Sequence, residues 1–303
     1  MQLPGQVDED LYMLASHHVP IYLMRLSDNS WAILEGGISR DAEKVWQQIQ
    51  QWVASPDHIH YWLISHKHYD HCGLLPYLCP RLTNVRVLVG KKTWNSWQKP
   101  KARQIIAELN GQLLYPRQPL PEAMDLNRLP VCFIDQGYTL SLGEKHRLKV
   151  LAASGHANDQ LVFFDSHRQR LFAADAFGEF GDEDGLWHPL MFDDVSQYLA
   201  TLARLQSLPL RQLIPGHGGI FCGALASNGA EDALHQSRQL IERAEPYLYD
   251  DQMKEQLANN LHQEWRAQSL TFVPAKLHLN SMRFMLNAIA QYQHDLKKEN
   301  YVC

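Results

Sequence analysis

The stretch "HKHYDH", residues 66–71, puts three histidines and one aspartate into six positions. It directly follows "IHYWLI" (59–64), a compact apolar and aromatic run that reads as a β-strand. A strand delivers the loop behind it to one edge of its sheet, and parallel neighbours bring such loops together. In H-x-H spacing, His66 and His68 can aim at one ion, while Asp70 and His71 point toward a second. Six residues cannot complete such a site, so its partners belong at other strand ends. They occur in order along the chain. "LKVLAA" leads into "SGH" at His156, "RLFAA" into Asp175, and "QLI" into "PGHGG" at His217.

These residues predict a binuclear centre. His66, His68 and His156 would hold one ion, Asp70, His71 and His217 the other, and Asp175 would bridge. Two ions about 3.5–4 Å apart hold a hydroxide between them and polarise a carbonyl or phosphoryl oxygen. A ligand set of His and Asp without thiolate suits iron, zinc or manganese. Gly155, Gly216 and Gly218 flank the ligands, where a missing side chain lets backbone approach closely. The remaining histidines have no such placement. His17, His18, His58, His60, His146 and His167 read as structural or solvated, and His188 as a surface residue beside the pocket.

Composition excludes several classes. The 303 residues are 45% hydrophobic, enough for a well-buried core, and a formal charge of -5 argues against nucleic acid as a direct partner. No apolar run reaches the roughly 18 residues of a membrane span, and the N-terminus lacks the layout of a secretory signal. Cys72, Cys79, Cys132, Cys222 and Cys303 are odd in number and scattered, as expected of reduced thiols in the cytoplasm.

Along the chain, the first third reads as an antiparallel meander broken at Pro20. A helix from Arg40 has apolar residues at Val45, Trp46, Ile49, Trp52 and Val53, with Ser39 as its N-cap. Another helix is expected from about Lys91 to Leu109, and a proline-rich loop crosses between halves at 115–130. "DDVSQYLATLARLQSL" is an amphipathic helix capped by Asp193 or Asp194. After about Ala226 the pattern becomes helical, with breaks at Pro246 and Pro274. The expected organisation is an α/β (α+β) domain over 1–225, with a helical extension over 226–303 packed on it.

The ordered set "HKHYDH", "SGH", "AAD" and "PGHGG" resembles the metallo-β-lactamase superfamily of binuclear hydrolases. That resemblance covers about 5–225 and implies an αββα sandwich with its metals at one edge. "LEGGISRDAE" (34–43), "HYWLISHKHYDHCGLLPYLCPRL" (60–82), "DAFGEF" (175–180) and "LIPGHGG" (213–219) further resemble PqsE-type quinolone-signal response proteins. "QSLTFVPAKLHLNSMRFML" extends that similarity into the helical tail.

The resemblance implies a thioesterase acting on 2-aminobenzoylacetyl-CoA, an intermediate of alkylquinolone synthesis, with two iron ions. It carries the metal-ligand role onto His66, His68, Asp70, His71, His156, Asp175 and His217, and a substrate-binding role onto Glu179 and Ser269. A metal-bridging hydroxide would attack the thioester carbonyl, with Asp70 also orienting the nucleophile. The thiolate leaving group, of pKa about 8.5, needs little help from a general acid. The helical tail would cover the pocket, with Phe192, Phe272 and Leu277 as walls. Coenzyme A would need a local basic patch, for which Lys91, Lys92, Lys99, Lys101 and Arg103 are candidates. The resemblance also implies a role in quorum sensing through contact with a transcription regulator, independent of turnover. Hydrolysis of another thioester, a lactone or a phosphodiester uses the same site, and a homodimer is compatible with all of these readings.

Overall fold

Strand pairing in the computed structural model, which describes residues 3–115, 118–119, 124–143, 145–266 and 273–301, divides the strands into two large sheets. The first runs β1 (Gly5–Gln6), β2 (Leu11–Ala15), β3 (Pro20–Ser27), β4 (Ser30–Leu34), β5 (Ile59–Leu63), β6 (Arg86–Gly90) and β7 (Val131–Ile134), in that spatial order. The pairs from β1 to β4 are antiparallel, the expected meander, and those from β4 to β7 are parallel. Parallel strands need crossovers, supplied here by α1 (Ala42–Trp52), α2 (Leu75–Leu78), α3 (Lys91–Trp97) and α4 (Pro100–Gly111).

The second sheet contains β8 (Thr139–Leu142), β9 (His146–Ala152), β10 (Leu161–Asp165) and β11 (Arg170–Ala174). A small hairpin of β12 (Glu179–Phe180) and β13 (Trp187–His188) follows, then α5 (Val195–Leu205). Strands β14 (Gln212–Pro215) and β15 (Phe221–Cys222) complete the sheet, whose order is β15-β14-β11-β10-β9-β8. The chain then continues as α6 (Ala224–Ser227), α7 (Gly229–Ala244), α8 (Asp251–Arg266) and α9 (Ala275–Tyr301).

Three apolar layers hold this together. Leu11, Met13, Tyr22, Phe163, Phe172 and Ile214 fill the space between the sheets. Val45, Ile49 and Trp97 pack helices on the outer face of the first sheet. On the outer face of the second, Val162 and Leu171 share one buried cluster with Leu202 of α5, Leu240 of α7, Leu261 of α8 and Met285 of α9. The layers are helix, sheet, sheet, helix, which is the expected αββα sandwich. The helices after 226 draw on the same outer core as α5.

Two local expectations are corrected. Ser39 does not cap α1: its buried backbone N–H donates to Asn110 Oδ1 at 2.7 Å, a 3₁₀ turn spans Ser39–Asp41, and Asp41 takes the cap position. The helix expected over 91–109 is two helices, because Pro100 cannot supply the N–H that a continuous helix requires and instead opens α4. Ser269, Phe272, Cys303, Pro116 and Pro121 lie outside the described residues.

Candidate metal centre

The sandwich brings the ends of five strands to one edge. The 66–71 loop leaves β5, and His156 sits between β9 and β10. Strands β11 and β14 are parallel with Ala174 opposite Pro215, so Asp175 and Gly216 emerge side by side, and Gly216 N–H donates to Ala174 O at 2.7 Å. The two sheets are tied at this edge by Leu161 N–H to Ser65 O at 2.9 Å.

Two groups of potential ligands form there. His66, His68, His156 and Asp175 make one, and Asp70, His71 and His217 the other, with the ligand atoms in each group within 4.8 Å of one another. Asp175 faces both groups. Its Oδ2 lies 3.0 Å from His156 Nε2 and 3.8 Å from His66 Nε2, while its Oδ1 lies 3.3 Å from His71 Nε2 and 3.7 Å from His217 Nε2. One carboxylate thus offers an oxygen to each group, the arrangement a bridging ligand requires. All seven sequence-predicted metal residues are brought together.

The donor chemistry fits cations. His66 Nε2, His71 Nε2 and Asp175 Oδ1 are buried without a hydrogen-bond partner among the described residues. His68 Nδ1 and His156 Nε2 stand 2.9 Å apart. Buried polar atoms left without a partner are costly, and the unpartnered atoms here are ones a cation would satisfy. Burial, with His71 and His68 beside it, holds His66 well below the usual histidine range, and burial and His156 do the same for His68. Burial would raise the Asp175 carboxyl, but His71 and His156 hold it well below the carboxylate range. Burial opposes protonation of His71, yet Asp175 and Glu35 raise its pKa well above normal, so an ion bound there displaces a proton.

The far nitrogens of His66, His71, His156 and His217 are anchored, which points the near ones inward. His71 Nδ1 meets Glu35 Oε2 at 2.7 Å, and His156 Nδ1 donates to the Leu190 carbonyl at 2.9 Å. His217 Nδ1 donates to the His18 carbonyl. Ser65 Oγ donates to Glu35 Oε2 at 3.0 Å and therefore accepts from His66 Nδ1, also at 3.0 Å. Such partners fix the tautomer and orientation of a metal-binding imidazole. Gly216 is required by space: a Cβ there would lie 2.1 Å from Asp175 Oδ1.

A cavity of about 90 Å³ opens onto both groups. Its polar wall includes Glu179, buried, with Oε1 3.9 Å from His217 Nε2. Phe192 and Leu277 line it as expected, together with Tyr69, His278 and Ser281, so α9 roofs the centre. Lys91 and Lys92 instead line a separate cleft of about 470 Å³ with Arg204, and Lys99, Lys101 and Arg103 are outside it.

Sequence reasoning missed Glu35, Ser65 and His278. It also misplaced one histidine, while another took the structural role expected of it. His188 is buried, bonded to Asp184 Oδ2 at 2.8 Å and stacked on Trp265 at 4.9 Å, away from the metal cavity. His146 opens β9, buried, with Nε2 3.1 Å from Arg25 O.

The family model described as the metallo-beta-lactamase superfamily matches residues 17–217. A putative diflavin flavoprotein A 1 of Thermosynechococcus vestitus is 28% identical over 59% of this chain and 29% of its own length. A putative diflavin flavoprotein A 2 of Synechocystis is 23% identical over 70% of this chain and 36% of its own. The chain spans about a third of the length of these curated relatives. Among solved structures, a metallo-beta-lactamase family protein from Thermus thermophilus superposes with a TM-score of 0.59 at 20% identity, covering 92% of this chain and 94% of that one. An archaeal superfamily protein from Sulfolobus tokodaii gives 0.58 at 20% identity, over 76% and 86%. Rubredoxin oxygen:oxidoreductase from Desulfovibrio gigas gives 0.55 at 16% identity, over 78% and 62%. At such identities these likenesses are likenesses of fold.

Proposed function

Because the chain belongs to the metallo-β-lactamase superfamily, we propose that it is a binuclear metal-dependent hydrolase of an acyl-CoA thioester. The substrate we propose is 2-aminobenzoylacetyl-CoA, in alkylquinolone signal biosynthesis and hence in quorum sensing. The observation that carries the hydrolase reading is the division of Asp175 between two ligand groups, each within 4.8 Å. Ions held by His66, His68, His156 and Asp175 and by Asp70, His71 and His217 would supply a hydroxide at neutral pH and polarise the scissile carbonyl. The chain's own residues do the rest. Asp70, half-buried at the cavity face with Oδ2 3.6 Å from His217 Nε2, orients the nucleophile. Glu179 accepts from the aryl amine, and Phe192 and Leu277 shield the reacting atoms from bulk water. The cleft with Lys91, Lys92 and Arg204 suits the anionic part of coenzyme A.

The test is thiol release from 2-aminobenzoylacetyl-CoA by metal-loaded protein, with Asp70→Ala as the blank. Release well above the blank is expected. None, from protein carrying two metals, sinks this substrate and sends the search to other thioesters, lactones and phosphodiesters. An Asp70→Ala chain that keeps its metals and still sustains signalling in cells would favour contact with a transcription regulator instead.

A second reading follows from the names of the relatives. A His/Asp set bridged by a carboxylate also suits redox-active iron, and similar proteins include an oxygen:oxidoreductase. Dioxygen uptake by chemically reduced, iron-loaded protein above the Asp70→Ala blank would favour it.

A further inference from the structure

His278 stands on the first turns of α9 and lines the cavity over the metal centre. It is 1% exposed. Its Nδ1 lies 2.9 Å from His262 Nδ1, across from α8. Its Nε2 is buried and has no hydrogen-bond partner among the described residues. Leu277, His278, Ser281 and Met282 follow helical spacing, so one face of α9 roofs the site. On that face Leu277 and Met282 are apolar and Ser281 Oγ donates to the Leu277 carbonyl at 3.2 Å, so His278 presents an imidazole edge where an aliphatic side chain would pack without an orphaned nitrogen.

We propose that His278 is a substrate-positioning residue whose Nε2 hydrogen-bonds a polar atom of the acyl group, beyond the carbonyl that is attacked. The ligand class is a thioester whose acyl chain carries a ketone or amine. The Nδ1 contact orients the ring. One nitrogen of that pair must donate and the other accept, so His262 sets the role left to Nε2. Burial, with His262, Arg266 and His188 near, lowers the pKa of His278 to about 4, which keeps the ring neutral at physiological pH. A neutral ring can hold a ketone or amine without competing for the acids that serve the metals. The choice of substrate rests on the thioesterase reading; the subsite itself does not.

The experiment compares wild type, His278→Phe and His278→Gln, each loaded with two metals, on 2-aminobenzoylacetyl-CoA and on 3-phenylpropanoyl-CoA, which lacks the ketone and amine. Loss of one buried hydrogen bond made equally in ground and transition states should raise KM by about tenfold with kcat little changed. We expect that rise in His278→Phe for the polar substrate alone, with His278→Gln recovering most of it. Equal effects on both substrates, or no effect on either, overturn the proposal. A second readout needs no turnover: the ¹⁵N shift of His278 Nε2 on adding 2-aminoacetophenone to metal-loaded wild type. A shift without any thioester hydrolysis leaves the subsite standing and removes the thioesterase reading. No shift overturns the subsite even if hydrolysis proceeds.

Discussion

Replacing Glu35 by Gln isolates how the centre is held. Oε2 of Glu35 meets His71 Nδ1 at 2.7 Å and Ser65 Oγ at 3.0 Å, and Ser65 in turn meets His66 Nδ1. One carboxylate oxygen thereby sets the tautomer of a histidine in each ligand group. Gln is nearly isosteric with Glu, and the backbone φ of 71° at this position suits one as well as the other. If the amide oxygen takes the place of Oε2, both contacts survive as neutral bonds. A charge-assisted bond is about twice as strong as a neutral one, so the loss is about 1–2 kcal/mol, or roughly tenfold in affinity for the ion on His71. If the amide nitrogen takes that place, it faces the donor nitrogen of His71 and reverses Ser65, which turns an N–H of His66 toward the metal. The weakening then approaches a hundredfold and reaches both ions, within the range expected for outer-shell partners. The assay is zinc titration of metal-free protein against a chelator of known affinity, with bound ions counted by mass spectrometry. Two ions bound within about threefold of wild type, by a variant of unchanged fold, would refute this account of the tautomers.

Three further outcomes are expected. Gly155→Ala places a Cβ 2.3 Å from Tyr198 Cα at a φ of +135°, so urea unfolding should show a loss of about 3 kcal/mol or more, and a loss below about 1 kcal/mol would contradict the packing. His278 and His18 both have folded pKa values lowered to about 4, largely by burial. The unfolded chain therefore binds protons that the folded chain refuses. Stability should fall as pH drops from about 6.5 to about 4, by up to about 1.4 kcal/mol per pH unit per histidine, and His278→Phe should remove one share of that slope. Burial pushes the Cys79 thiol up to about 12 and Cys72 well above the usual range, so both should resist a thiol reagent in native protein, while exposed Cys222 reacts. Rapid labelling of Cys72 without unfolding would contradict its burial.

The ligands themselves were legible in the sequence because metal chemistry restricts residue type. Only a few side chains can serve, and "HKHYDH", His156, Asp175 and His217 each follow an apolar strand. Strand ends are local features, so their order implied a shared reactive edge, and the sandwich itself followed from the resemblance those motifs carry. What steadies the ligands left no such trace. The partners of His156 and His217 are the main-chain carbonyls of Leu190 and His18, and every residue carries a carbonyl. Glu35 reads as one acid among many until β4 and β5 lie parallel and bring it beside Ser65 and His71. His188 reads as exposed until Trp265, far along the chain, stacks on it.

His278 shows the same limit from the other side. It looks like an ordinary helix residue, and only the docking of α9 over the strand ends turns its ring into the cavity. Local periodicity decides which face of a helix is apolar. Where that helix lands, and which polar atoms it carries over the metals, depends on packing between segments distant in sequence. For this protein, residue type and strand order determined the candidate metal ligands. Tertiary contacts decided how those ligands are oriented, because a hydrogen bond to a backbone atom has no signature in the sequence that supplies it.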